Sequence, residues 1–494
     1  MSIIENIRKE IIEQLPEWDQ PSIALGIVKD GQVVLSEGFG RRDLENNLSS
    51  DTDTLYQIGS CSKAFTAAAA AVLVDRGLME WDTPIIKYLP WIKFQDDYTT
   101  ANATIRDLLC HRTGLPRHDA YWIDGPHTRE DMVRNLRNMQ PCWPFRSKWC
   151  YQNTCFVAVG MAIEAVSGMS WEEFVKKEIF EPLGMTRSSF YIDYIENDAN
   201  RAKGYGRPVP TDTKGMKFVP YLRSDREDMA AGIGAPVGPA GSIVSTIGDM
   251  LKWLQFNMNK GKVGDKQIIS EANMKELHKP NMLMDEPLVM PAPEIDFPAY
   301  GMGWFVETFR GHTMVEHGGN LNGFTALVTM VPDLDLGVVA LVNFDNSFNT
   351  YATTYSIIDK YLQVEESDWH NRWREFVSLI LGGNDEGIRM LNGEKTEGTT
   401  PSHALKDYAG TYTNPTYGNI VITCVDDTLY FDYNKCNSPC EHFHYDTFQI
   451  KNVHALFNGM NFTFVTDKFG KLSLSFGIVL NPAAKDEIFV KVEE

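Results

Sequence analysis

Between residues 22 and 39 two apolar runs, Ile23-Ala24-Leu25-Gly26-Ile27-Val28 and Val33-Val34-Leu35, flank Lys29-Asp30-Gly31. Short apolar runs on either side of an Asp-Gly turn predict a β-hairpin. Helical patterns follow in the alanine-rich stretch 67–73 and around residues 105–109 and 156–166. Apolar and β-branched residues return at 325–331 and 336–343, on either side of Pro332-Asp333. Strands first, helices in the middle and strands last predict an α/β (α+β) fold. Its single sheet has neighbouring N- and C-terminal strands, with a helical part inserted between them.

Beyond residue 365 the pattern changes. Residues 368–377 read as an amphipathic helix and residues 391–401 as a polar linker. From about Leu405 short apolar and β-branched runs recur: 410–412, 420–423, 428–431, 448–450, 461–464 and 472–474. Regular short strands predict a small antiparallel barrel. The chain therefore divides into a main unit (1–365), a helix and linker (366–402) and an all-β barrel (403–494). Small barrels are usually filled by their own side chains, which favours covering a site or joining copies of the chain over the alternative role of binding an apolar ligand.

With 494 residues and 43% hydrophobic content the chain can bury a large core. Sixty-six acidic against forty-six basic side chains give a net charge of -20, which argues against nucleic acid or an anionic membrane as partner. The first ten residues intersperse charges at helical spacing without an apolar signal core, and no run approaches 18 apolar residues. The expectation is a soluble cytoplasmic protein. Eight cysteines are then reduced thiols packed as small hydrophobes. Cys436-x-x-x-Cys440 with His442 and His444 fits no common zinc spacing, and neither do His111, His118 and His127, so no metal and no cofactor are expected.

Candidate chemistry starts at Gly59-Ser60-Cys61-Ser62-Lys63, just before the alanine run. Ser60 falls at the start of a helix and Lys63 one turn further on the same face, so the amine can reach the hydroxyl. A serine becomes a nucleophile when a base takes its proton, and lysine is that base if burial or a nearby cation lowers its pKa. The helix N-terminus would favour an oxyanion beside Ser60. The plainer reading is an ordinary surface helix start; Cys61, between the two serines, competes for the nucleophile's role.

Tyr151-Gln152-Asn153 places a phenol and an amide on one side of an extended segment. Beside a cationic Lys63, Tyr151 would be easier to deprotonate and could shuttle a proton, while Asn153 could bond Lys63 and a substrate amide. A buried structural tyrosine is the alternative. His317-Gly318-Gly319-Asn320 offers backbone N–H groups that approach a substrate closely, and His317 a hydrogen bond or, protonated, a charge. Its alternative is a glycine turn with an exposed histidine.

Taken in order, Ser-x-x-Lys, Tyr-x-Asn and His-Gly-Gly resemble the serine β-lactamase and penicillin-binding-protein-like superfamily, in its class C-like branch of esterases, D-aminopeptidases and related peptidases. Residues 104–116, 181–185, Pro239-Ala240-Gly241-Ser242 and Tyr300-Gly301-Met302-Gly303-Trp304 are similar to further landmarks, over roughly residues 10 to 360. The barrel resembles the lipocalin-like C-terminal domain of some of these peptidases, through Tyr408-Ala409-Gly410-Thr411-Tyr412 and Asp446-Thr447-Phe448.

The resemblance implies a Ser60 acyl-enzyme with Lys63 and Tyr151 handling protons, and an oxyanion hole formed by the N–H groups of Ser60 and Asn320. His317 stands where penicillin-binding proteins and β-lactamases usually carry the lysine of Lys-Thr-Gly. Without that fixed cation the expectation moves from β-lactamase or carboxypeptidase towards hydrolysis of small amides or esters, short peptides and D-residues included. A carboxylesterase or weak β-lactamase is the near alternative, and an inactive ligand sensor or scaffold the distant one. The expected partners are a small-molecule or short-peptide substrate and, through the barrel, a second copy of the chain.

Overall fold

The computed structural model describes residues 2–123, 125–190, 197–206, 236–285, 290–365, 367–434, 436–451, 457, 459–479 and 483–493, with the backbone alone for 380–391. Its centre is an antiparallel sheet of nine strands. From one edge to the other they are Leu48–Ser49, Gln32–Asp43, Ser22–Lys29, Leu336–Val342, Phe324–Val331, His312–Leu321, Phe305–Phe309, Ile295–Tyr300 and Met282–Leu283. The first and last long strands are neighbours, with Ile23 opposite Val342 and Lys29 opposite Leu336.

The central strands are apolar throughout because both of their faces are covered. Ala24, Val28, Val328, Val339 and Leu341 point into one core with helices Ser62–Asp75 and Ile247–Met258. Ile23, Leu25, Ile27, Leu327, Val338 and Ala340 point into the other, against helices Ile3–Glu17, Asn349–Leu362 and Trp369–Asn392. Alternation along a strand thus assigns each residue to one of two cores. The alanine-rich helix Ser62–Asp75 is buried from Ser62 to Leu73, as an all-round apolar helix must be.

Two motif settings become clear. His317-Gly318-Gly319 lies inside the strand His312–Leu321, paired with Phe324–Val331, so the alternative of a glycine turn with an exposed histidine does not hold. Asn153 begins the helix Asn153–Ser167, with Gln152 as its N-cap, so Tyr-x-Asn sits at a helix start and not in an extended loop.

Eight strands from Gly410–Asn414 to Glu487–Lys491 form a closed antiparallel barrel. Its interior is filled by Tyr412, Ile420, Phe431, Phe448, Phe462, Leu474, Phe476 and Phe489, all buried. The barrel docks on the helical part of the main unit. Asn135 Nδ2 donates to Thr416 O, Tyr433 OH to Ala120 O, and the buried His118 Nδ1 lies 2.6 Å from Tyr417 OH. All eight cysteines are free thiols. Among the described residues no group of three or more His, Cys, Asp or Glu side chains is gathered as a metal site, and no single helix is long and apolar enough to cross a membrane.

Candidate active site

A single 3-10 turn, Gly59–Cys61, leads into the Ser62–Asp75 helix and carries Ser60. Gly59 has φ +49° and lies against the Asn320 backbone, where a Cβ would come within 2.9 Å of Asn320 N. On the facing strand, a Cβ at Gly319 would meet Ile58 O at 1.9 Å and Ser60 N at 2.8 Å. Only glycine fits where these two backbones meet. The Ser60 turn and the Gly318–Asn320 backbone therefore share one edge of the site.

The segment Pro239–Ile243 clamps the helix start from another side. Lys63 Nζ donates to Ala240 O at 2.8 Å, Thr66 Oγ1 to Pro239 O at 2.6 Å, and Ile243 N to Ser62 Oγ at 3.1 Å. Ser60 Oγ stands 2.9 Å from Lys63 Nζ and 2.9 Å from Tyr151 OH. Lys63 is completely buried, and burial followed by the nearby Arg117 charge holds its pKa well below the ordinary lysine value. A neutral amine can keep its hydrogen bond to Ala240 O and accept the Ser60 proton. Burial pushes the Tyr151 phenol up instead, so it stays protonated and donates to Ser60 Oγ. Tyr151 is thus harder to deprotonate than in water, the reverse of the expectation from a cationic Lys63.

Tyr151 is held by the loop that begins at His111. Cys150 N donates to His111 O at 2.8 Å and Gln152 N to His111 Nδ1 at 3.1 Å, and the His111 ring lies 4.2 Å from the Tyr151 ring. Nδ1 accepts, so the neutral ring carries its proton on Nε2. Asn153 does not bond Lys63: its Nδ2 donates to Asp119 Oδ1 at 2.9 Å. Asp119 also pairs with Arg117, whose guanidinium lies 5.0 Å from the centre of the Tyr151 ring.

His317 is 2% exposed, and both of its ring nitrogens are engaged. Its Nδ1 faces the Gly318 carbonyl at 2.6 Å, which can only accept, so Nε2 accepts from Tyr300 OH at 2.9 Å. Burial, with Lys63 nearby, pushes its pKa down to about 3. Of the two roles considered from sequence, a hydrogen bond or a charge, the first fits this neutral ring packed between Tyr300 and Phe305. Asn320 turns its side chain to Thr325, whose Oγ1 donates to Asn320 Oδ1 at 3.0 Å, leaving its backbone towards Gly59. Cys61 Sγ is buried on His317 O and its thiol is pushed up to about 12, which removes it as a nucleophile.

The structure thus brings Ser60, Lys63, Tyr151, Gly318, Gly319 and the Asn320 backbone together, and sets Asn153 and His317 one layer back. It adds Arg117, Asp119, His111, Tyr300 and Ala240. The last three lie in segments whose pattern was visible, whereas Arg117 and Asp119 follow the last landmark residue, Pro116, and carry no periodic signal.

Comparison with known proteins places the fold. Residues 8–360 match the family model described as "Beta-lactamase", and residues 394–488 match a "Domain of unknown function (DUF3471)". The chain is 28% identical over 460 residues to the unguisins hydrolase ungD of Aspergillus violaceofuscus, covering 86% of this chain and 78% of that protein. It is 26% identical over 302 residues to the putative penicillin-binding protein PbpX of Bacillus subtilis, covering 60% and 66%. Among solved structures, the octameric penicillin-binding protein homologue from Pyrococcus abyssi superposes with a TM-score of 0.62 at 24% identity, over 98% of this chain and 99% of that one. The D-amino acid amidase from Ochrobactrum anthropi does so with a TM-score of 0.58 at 21% identity, over 73% and 98%. With a family model spanning most of its length, and a nine-stranded sheet and eight-stranded barrel in place, the chain belongs to the β-lactamase family.

Proposed function

We propose that this protein is a serine hydrolase that cleaves amide or ester bonds of small substrates through an acyl-enzyme on Ser60. The observation that carries this reading is a hydroxyl 2.9 Å from both a buried amine and a phenol. Neutral Lys63 takes the Ser60 proton as Oγ attacks the substrate carbonyl. The oxyanion forms where the Ser60 turn meets the Gly318–Asn320 backbone, with the N–H groups of Ser60 and Asn320 as donors by family resemblance. The proton on Lys63 passes through Tyr151 OH to the leaving amine or alcohol as the acyl–leaving-group bond breaks. Water then attacks the acyl-enzyme, giving its proton to Lys63, and the carboxylic acid leaves as Ser60 Oγ is reprotonated.

Short peptides, D-residues included, are the substrate class we favour. The resemblance to D-aminopeptidases supports this, and hydrolysis in general is supported by a relative named an unguisins hydrolase. The test is turnover of p-nitrophenyl esters, D- and L-aminoacyl anilides and a chromogenic β-lactam by wild type, Ser60→Ala and Lys63→Ala. Aminoacyl cleavage lost in both variants is the expected result. Ester cleavage alone would make it a carboxylesterase, β-lactam cleavage alone a β-lactamase, and no turnover a scaffold. The same reading has the enzyme cytoplasmic, with the barrel available to join copies, and free of nucleic acid, which its net charge of -20 favours. Cell fractionation and light scattering check these two points.

A further inference from the structure

We infer that Arg117 is the specificity-determining residue of this site and recognises a carboxylate on the substrate. The inference rests on the hydrolase reading above and deepens it. His317 is buried and neutral, and Lys63 is buried and engaged, so neither offers a fixed charge to substrate. Arg117 differs from both. Its side chain is 52% exposed, and its guanidinium lies 5.0 Å from the centre of the Tyr151 ring, whose hydroxyl is 2.9 Å from Ser60 Oγ. These distances place it within roughly two to three residues of extended chain from the nucleophile.

The guanidinium is also held in place. Arg117 Nε donates to Asp119 Oδ2 at 2.7 Å, and Nη2 pairs with the same oxygen at 2.6 Å. The other oxygen, Oδ1, accepts from Asn153 Nδ2 at 2.9 Å and Trp122 Nε1 at 3.1 Å. Asp119 thus takes one edge of the planar fork and leaves the Nη1 edge, an arrangement suited to a second carboxylate. Behind it, Tyr417 of the barrel meets His118 at 2.6 Å, and Tyr433 OH and Asn434 Nδ2 both bond Ala120 O at 3.3 Å, so the barrel braces the segment that carries Arg117 and Asp119. The site carries its cation in the segment after Pro116, and not at the strand position, His317, where Lys-Thr-Gly enzymes have theirs.

The experiment compares labelling rates for matched fluorophosphonates, an uncharged alkyl series and the same chains ending in a carboxylate, at several lengths. Each is measured on wild type, Arg117→Gln and Arg117→Lys. The ratio of carboxylate to neutral rate is the readout, because any effect of Arg117 on Lys63 alters both rates and cancels. With a net charge of -20 repelling anions, a ratio above one in the wild type is itself diagnostic. The inference expects a maximum at one chain length, a roughly tenfold fall in Arg117→Gln and a smaller fall in Arg117→Lys. Labelling by the neutral series with an unchanged ratio overturns the role of Arg117 and leaves the hydrolase reading intact. No labelling of the wild type by either series overturns both.

Discussion

Replacing Gly319 with alanine puts the junction between the nucleophile turn and its facing strand under direct test. The new Cβ would stand 1.9 Å from Ile58 O and 2.8 Å from Ser60 N, both backbone atoms. Restoring ordinary contact moves one backbone from the other by more than about 1 Å. The Ile58 carbonyl accepts from Cys61 N, so the displacement passes into the turn that carries Ser60. A misplacement of about 1 Å at a reacting group costs on the order of 100-fold in rate, about 2.7 kcal/mol, and overpacking costs about 1–3 kcal/mol of stability. Gly318→Ala is the comparison: its Cβ would meet Tyr351 OH at 2.5 Å on the opposite face of the strand, the end of a side chain and not the backbone of the Ser60 turn. Acylation rates by a fluorophosphonate, read beside thermal unfolding, separate the two. Gly319→Ala should lose far more acylation than Gly318→Ala at similar stability. Wild-type acylation in Gly319→Ala would refute the claim that this close approach positions Ser60.

Further outcomes follow from the charges and the docking surface. If neutral Lys63 is the base, kcat/KM should rise with pH through its lowered pKa and level off above it; Lys63→Met should lose roughly 100- to 10,000-fold and the rising limb with it. Glu316 is buried with its pKa pushed up, chiefly by burial and then by the neighbouring Glu307, to about 8. Its folded pKa is above the unfolded one, so its contribution is fully present near pH 4 and is lost as pH rises towards 8. Glu316→Gln should therefore flatten the fall in Tm between pH 5 and pH 8 seen by calorimetry, and an unchanged slope would remove the carboxyl from the account. Tyr417→Phe leaves the buried His118 Nδ1 without its partner and should cost about 1–3 kcal/mol in denaturant unfolding, with no loss if the barrel only rests on the main unit.

Legibility in the sequence followed the range of the interactions. The spacing of Ser60 and Lys63 is a property of one helical turn, and the sheet's neighbouring end strands follow from apolar runs covered on both faces. The filled barrel was visible in its alternation, but its closing strand Glu487–Lys491 was not, since only Phe489 of its five residues is buried. The charge states were hidden because they depend on burial. Lys63, Tyr151 and His317 take their protonation from desolvation by elements distant in sequence, which makes the Tyr151 phenol harder to deprotonate where the sequence suggested easier, and leaves His317 to its hydrogen bonds. Asn153 finds Asp119 in place of Lys63 because an aperiodic loop, braced by the barrel, delivers the carboxylate.

The most direct test of the central claim is intact-mass spectrometry after exposure to a fluorophosphonate, with peptide mapping of the adduct, on wild type, Ser60→Ala and Lys63→Ala. The account predicts one adduct on Ser60 in the wild type, none in Ser60→Ala and slow labelling in Lys63→Ala. An adduct on another residue, or equal labelling of Ser60→Ala, would contradict it.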